Sequence, residues 1–289
     1  VDIKFFGVEM NMDSKLNYSN WKKDHRSILK SFPGKEVVMS YTGGKDCSII
    51  LDFILRAGKE FGFDFQTHAV LFPHHVFTDI DKDRLDSYWS ERGVNIIWHE
   101  TEQTDQYLDD ALKRGFNPCS TCSQIKKTFF INYLKNSVTD WKPDIIIMNY
   151  SLWDIVSATI EHTLGTIYSI PGHSNSLRGK NPEERFIETS QRFYPLLKLQ
   201  NGLTIFKPLI KYNDQDISNA VSEIKIPLSL TPCKYKEFRP KRLFATYYEK
   251  MDLKFEYDKV FEFAKKALNL PDISYYEQIG MKEYLNKMI

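Results

Sequence analysis

Apolar and polar positions change period several times along the chain, and those changes divide it into elements. Residues 36–41, Glu36-Val37-Val38-Met39-Ser40-Tyr41, form a short β-branched run that reads as a buried strand. A Gly pair follows, and over 48–61 Ile49, Ile50, Phe53, Ile54 and Ala57 recur at helical spacing. The unit repeats. Residues 65–72 predict a strand, 79–92 a helix, Gly93 a break and 95–99 another strand. Then 105–114 predict a helix, 115–119 a loop, 123–135 a helix and 144–148 a fourth buried strand. Ahead of this series, 1–34 read as an irregular lead-in and a helix over 18–30, stopped by Ser31-Phe32-Pro33-Gly34. After it, 165–184 are rich in Gly, Ser, Asn and Pro and predict a mobile surface loop able to gate a site. Residues 193–199 and 203–208 predict a hairpin about Asn201-Gly202, 214–224 a helix, and 239–268 and 275–289 a small helical tail.

Strands alternating with helices imply an α/β, Rossmann-like parallel sheet with helices on both faces, plus a small helical C-terminal extension. Such sheets bind ligands beyond the carboxyl ends of their strands. The expected divisions are a lead-in and helix over 1–34, a nucleotide-type core over 35–232 and a helical region over 233–289.

Composition adds limits. A chain of 289 residues with 42% hydrophobic and 27% charged positions can bury one large core or two modest ones. Its apolar runs break far short of the roughly 20 residues a bilayer requires, and residues 1–10 carry no leader pattern, so a cytoplasmic protein without a membrane partner is expected. Thirty-nine basic against 38 acidic residues leave a charge of +1, so any nucleic-acid contact must rest on local patches. Four cysteines are too few for a disulfide scaffold.

The stretch richest in chemistry is Ser40-Tyr41-Thr42-Gly43-Gly44-Lys45-Asp46-Cys47-Ser48, between a strand and a helix. Two glycines let the backbone turn tightly and aim N–H groups at an anion, the helix dipole adds positive potential, and Lys45 adds a mobile charge. The spacing fits neither the eight-residue NTPase loop nor Gly-x-Gly-x-x-Gly. Cys47 has two readings: a thiol acidified by the helix N-terminus, or a neutral filler, which the repulsion between a thiolate and a triphosphate favours.

Pro118-Cys119-Ser120-Thr121-Cys122 sets two thiols just before a helix, and Cys233 beside Pro232 is the third candidate ligand. Three thiolates suit a four-iron cluster with one open iron, or a zinc ion completed by another ligand; a reduced turn without metal is the alternative. Lys234, Lys236, Arg239, Lys241 and Arg242 surround Cys233 and offer either a phosphate-binding patch or ordinary surface charge, with Tyr235 and Phe238 available for stacking on a base. His74-His75 sit in an extended segment where neighbours point apart, against shared metal binding. The stripe of Tyr257, Val260, Phe261, Ala264, Ala267 and Leu268 reads as a core or homodimer face.

The diglycine loop resembles the Ser-Gly-Gly-Lys-Asp-Ser PP-loop of the N-type ATP pyrophosphatases, with Thr42 for the first Ser and Cys47 for the last. The resemblance implies an adenine nucleotide α-hydrolase-like fold in which Ser40, Thr42, Gly43, Gly44, Lys45, Asp46, Cys47 and Ser48 hold ATP, with Lys45 and Asp46 catalytic and Mg2+ escorting the diphosphate. Cys119-Ser-Thr-Cys122-Ser-Gln-Ile-Lys126-Lys127 resembles the Cys-x-x-Cys-x-x-x-Arg-Arg element of the tRNA 2-thiocytidine synthetases, with Lys126 and Lys127 for the arginines. That family implies a [4Fe–4S] cluster on Cys119, Cys122 and Cys233, a sulfur donor, and a tRNA acceptor near Lys126, Lys127, Arg239 and Arg242. Its Gly-His-His-x-Asp-Asp motif is replaced here by Asn149-Tyr150-Ser151-Leu152-Trp153-Asp154. Of that motif only Asp154 survives; it is a candidate catalytic acid or a simple helix N-terminal acid. The expected function is an ATP-dependent sulfurtransferase, with two alternatives: a PP-loop ligase acting on a small metabolite with zinc or no metal, and a non-catalytic nucleotide-binding module.

Overall fold

The computed structural model describes residues 15–72, 79–136, 143–168, 186–187, 189–200 and 202–287. Its sheet comprises β1 (Val37–Ser40), β2 (Gln66–Leu71), β3 (Ile96–Glu100), β4 (Ile145–Ile147), β5 (Leu196–Lys198) and β6 (Thr204–Phe206), in the order β3-β2-β1-β4-β6-β5. All neighbours are parallel except β5, which runs antiparallel to β6 as the expected hairpin. Helices α1 (Tyr18–Leu29), α2 (Lys45–Phe61), α3 (Asp79–Ser90), α4 (Asp105–Lys113), α5 (Pro118–Asn136), α6 (Leu152–Tyr168) and α7 (Asp214–Ile224) accompany it, followed by α8 (Pro240–Lys250), α9 (Tyr257–Ala267), α10 (Ile273–Glu277) and α11 (Met281–Lys287).

Alternation along β1 explains the two cores. Val37 and Met39 enter one cluster with Trp21 and Leu29 of α1, Ile50 and Phe53 of α2, Trp89 of α3 and Val221 of α7. Val38 enters the other, with Ile146, Ile205, Leu197, Trp153 of α6 and, from the C-terminal helices, Tyr248, Ala264, Tyr276 and Tyr284. Burial on both faces is why the strands read as continuous apolar runs. The C-terminal helices therefore cover one face of the sheet, and Tyr257, Val260, Phe261, Ala264 and Leu268 of the apolar stripe pack on that core; Ala267 is exposed.

Two expectations are corrected and one is refined. The helix bearing the cysteine pair begins at Pro118, not after Cys122, because Asn117 caps it: its Oδ1 accepts from the N–H groups of Cys119 (2.9 Å) and Ser120 (3.1 Å), and Pro118 needs no donor partner there. The helical tail expected over 239–268 consists of two helices, parted where Asp252 adopts φ 46° and the Phe255 N–H bonds Asn213 Oδ1 at 2.9 Å. Residues 165–168 end α6; the rest of the expected loop over 165–184, His74-His75 and Asn201 lie outside the described residues. Among the described residues no helix is long and apolar enough to cross a membrane.

Candidate nucleotide site and cysteine pocket

The strand order turns between β1 and β4, so the loops leaving β1, β4 and β6 open at one end of the sheet. The diglycine loop leaves β1. Gly43 has φ 67°, a left-handed conformation that L side chains adopt with strain, and Gly44 caps α2 in extended conformation, leaving the first helical N–H groups without a side-chain cap. The loop is pinned from outside: the Ser229 N–H donates to the Gly43 carbonyl (2.9 Å) and Asn149 Nδ2 to the Ser40 carbonyl (2.9 Å). Cys47 pins it from inside. Its buried Sγ donates to the Gly44 carbonyl (3.1 Å) and lies 3.3 Å from both the N and Oγ1 of Thr42, while burial pushes the thiol pKa up. Ser48 is buried against the Tyr41 hydroxyl, which accepts from Trp89 Nε1 at 3.0 Å, so this side chain faces the core.

Beside the loop lies a cluster of charges. Three helices that follow three adjacent strands each place an acid in their first turn: Asp46 on α2, Asp154 on α6 and Asp214 on α7. Lys45 Nζ lies 2.7 Å from Asp46 Oδ1 and 2.7 Å from Asp214 Oδ2. Lys241, at the start of α8, lies 2.9 Å from Asp154 and 3.8 Å from both Asp46 and Asp214, and donates to Ser151 Oγ at 3.3 Å. Ser151 in turn bonds both Asp154 (3.0 Å) and Asp214 (3.2 Å). Burial would lower the pKa of both lysines, but their carboxylate neighbours outweigh it and hold both above the usual range. Burial likewise raises Asp154, and Lys241 more than reverses it, holding the carboxyl low. Asp154 also accepts the Ser151 N–H at 2.8 Å, so it serves as a helix-terminal acid and as a member of the cluster. These side chains stay 12–29% exposed.

The structure brings together Lys45, Asp46 and Asp154 of the expected residues; Asp214 and Ser151 complete the cluster without having been singled out, and Lys241, expected only in the basic run around Cys233, joins them. A signal for Lys241 existed. A lysine in a first helical turn opposes the helix dipole, and such a placement needs carboxylates nearby. The carboxylate oxygens are hard donors of the kind magnesium takes, with the two ammonium groups lying among them.

The three cysteines share a second pocket. Cys119 and Cys122 lie one turn apart on α5 and, with Ile125 and Cys233, pack half-buried on Phe72, Leu108 and Tyr235. Cys119 Sγ donates to the Tyr235 carbonyl at 2.9 Å. Burial and then the neighbouring Cys233 push the Cys119 thiol up to about 11, and burial raises Cys122 as well. The soft sulfur donors suit iron or zinc, yet among the described residues no set of three or more His, Cys, Asp or Glu side chains is arranged to hold an ion.

The basic run around Cys233 does not form one patch. Lys234 pairs with Asp109 (3.0 Å) and Asp105 (3.6 Å), Lys241 turns into the charge cluster, and the Tyr235 hydroxyl bonds Asp109, so Tyr235 is buried and withdrawn from stacking. Arg239 acts on the Cys119 and Cys122 thiols, Lys126 lies 5.8 Å from the Phe72 ring, Lys127 sits half-buried on α5, and Arg242 and Phe238 are exposed. One segment joins the two pockets. Asp81 accepts from Ser229 Oγ (2.7 Å), the Leu230 N–H (3.1 Å) and Arg84 (2.7 Å), fixing the chain between the Gly43 contact and Cys233.

No protein-family model matches the sequence, and no curated protein matches it. Among solved structures, the U34-tRNA thiolase NcsA from Methanococcus maripaludis, solved with its [4Fe-4S] cluster, matches with a TM-score of 0.58 over 88% of this chain and 81% of that chain, at 15% identity. The chain shares the fold of that thiolase. NMN synthetase from Francisella tularensis is similar at 10% identity over 94% and 92% of the two chains (TM-score 0.43), and the NH3-dependent NAD synthetase from Campylobacter jejuni subsp. jejuni at 12% over 94% and 93% (TM-score 0.43). The PP-loop resemblance and the α/β, Rossmann-like class expected from the sequence both stand.

Proposed function

We propose that the protein is a PP-loop enzyme that uses ATP to adenylate an acceptor carbonyl and then exchanges that oxygen for sulfur. The observation that carries this reading is the convergence of Lys45, Lys241, Asp46, Asp154 and Asp214 beside the diglycine turn. The turn and Lys45 hold the β- and γ-phosphates, which makes diphosphate the leaving group. The acceptor oxygen attacks the α-phosphorus, the bond to the bridging oxygen breaks, and its electron pair departs with diphosphate. A sulfide-level nucleophile then adds to the activated carbon, and AMP leaves with the former carbonyl oxygen. Magnesium would come with the phosphates themselves, and Asp46, in the first turn of α2, would help place it.

The sulfur half of the reading rests on the cysteine pocket, which shares the 228–241 segment with the nucleotide site, and on the fold shared with a U34-tRNA thiolase. A [4Fe–4S] cluster on Cys119, Cys122 and Cys233 would supply an open iron to carry the sulfur. A pyrimidine in tRNA is the acceptor this reading favours, with Lys126, Lys127, Arg239 and Arg242 on the approach. A ligase acting on a small metabolite is the second reading, favoured by the withdrawal of Tyr235, Lys234 and Lys241 from any basic face.

Anaerobic purification followed by iron, sulfide and zinc analysis tests the sulfur half: about four irons per chain, lost in Cys119→Ala, support it, and stoichiometric zinc overturns it. Diphosphate release with bulk tRNA against small-molecule pools tests the acceptor, and Lys45→Ala should lower that release by about a hundredfold or more.

A further inference from the structure

We propose that Lys241, carried by the C-terminal helix α8 and not by the phosphate loop, is a second residue that binds the ATP phosphates beyond the α position. The inference rests on the ATP-using reading above and assigns a further ligand within its site. Lys241 is separated by almost two hundred residues from Lys45, yet the two ammonium groups share Asp46 and Asp214: Lys45 lies 2.7 Å from each, and Lys241 3.8 Å from each. Both ammonium groups therefore gather at the same two carboxylates, one of them in the first turn of α2.

A lysine placed only to fasten α8 to the sheet would need one carboxylate. Lys241 meets three, and its helix starts with Pro240-Lys241-Arg242, against the dipole and with no acid in its first turn. The closest contact is to Asp154 at 2.9 Å, while those to Asp46 and Asp214 are loose. An ammonium so placed can exchange loose carboxylate contacts for phosphate oxygens with a small rotation of a flexible four-carbon stem. The same chain segment carries Cys233 and is tied to the Gly43 carbonyl through Ser229, so phosphate held by Lys241 would draw α8 and the cysteine segment against the loop.

The test compares ATP, diphosphate, AMP and adenosine binding by calorimetry for the full chain and for Lys241→Gln and Lys241→Arg. Lys241→Gln should weaken ATP and diphosphate by about tenfold while changing AMP and adenosine less than about twofold, and Lys241→Arg should recover most of the loss. Unchanged ATP affinity in Lys241→Gln overturns the inference, as does an equal loss for all four ligands, which marks a structural role. A second measurement needs no variant: ATP, and not adenosine, should protect Lys241 of the native chain from amine acylation, and equal labelling in both cases overturns the inference. If the native protein binds no ATP, the ATP-using reading itself fails and this inference falls with it; if it binds ATP and Lys241→Gln is indifferent, only the inference fails.

Discussion

The nucleotide site and the cysteine pocket are neighbours built in opposite ways. The first is specified many times over: loops from three strands, two lysines from distant helices, and hydrogen bonds to the loop from Asn149, Ser229 and the buried Cys47. The second is a small apolar patch of Phe72, Leu108 and Tyr235, with one thiol-to-carbonyl bond. If the proposed reading holds, a site for a highly charged ligand gains from such redundancy, because its donors are oriented before the ligand arrives. In the same reading, metal ligation would complete the order of the thiol pocket.

The largest effect on this contrast should come from Asp81→Ala. The carboxylate is 4% exposed and gathers Ser229, Leu230 and Arg84. Its loss leaves the Arg84 guanidinium and one backbone N–H without this acceptor, which should cost about 2–4 kcal/mol in urea unfolding and loosen both sites together. Equal stability to the parent would show that the two pockets do not depend on their shared segment.

A second, smaller effect concerns the helix that bears the cysteines. His68 Nδ1 and His99 Nε2 lie 3.0 Å apart in stacked rings beneath Phe129, Phe130 and Tyr133 of α5. Burial, and then repulsion from His99, lowers His68 to about 4, and burial lowers His99 too. The unfolded chain binds protons near pH 6.5 and the folded one does not, so this stability is complete above about 6.5 and is lost as pH falls toward 4. Urea midpoints should fall over that window, by an amount on the order of 2 kcal/mol. His68→Phe with His99→Phe should flatten the pH dependence; an unaltered profile would place the acid sensitivity elsewhere.

The smallest effect is expected for Cys47→Ser. The buried thiol acts by bonding Gly44 and Thr42, and a hydroxyl can do the same, so ATP affinity should stay within about threefold and stability within about 1 kcal/mol. Loss of function in this variant would restore the reading of Cys47 as a reactive sulfur.

What the sequence disclosed follows from locality. The strand, Gly pair and helix around Lys45 are contiguous, so both their geometry and their resemblance to the PP-loop are visible in nine residues. Asp214 and Lys241 belong to the same cluster but stand in unrelated stretches, and only the order of strands in the sheet unites them. The start of α5 lies earlier than the apolar pattern from residue 123 indicates, because the cap is made by the Asn117 side chain and leaves no mark in hydrophobic periodicity. The basic run near Cys233 showed its composition but not its partners, Asp105 and Asp109, which approach from α4.

Counting the formal charges at the mouth of the sheet gives a consequence for traffic into it. Three aspartates against two lysines leave an excess of one negative charge in the cluster. If the proposed ATP reading holds, a bare polyphosphate meets repulsion there and one accompanied by its own cation does not. The proposed site would then select its ligand by the cation it carries before it selects by base.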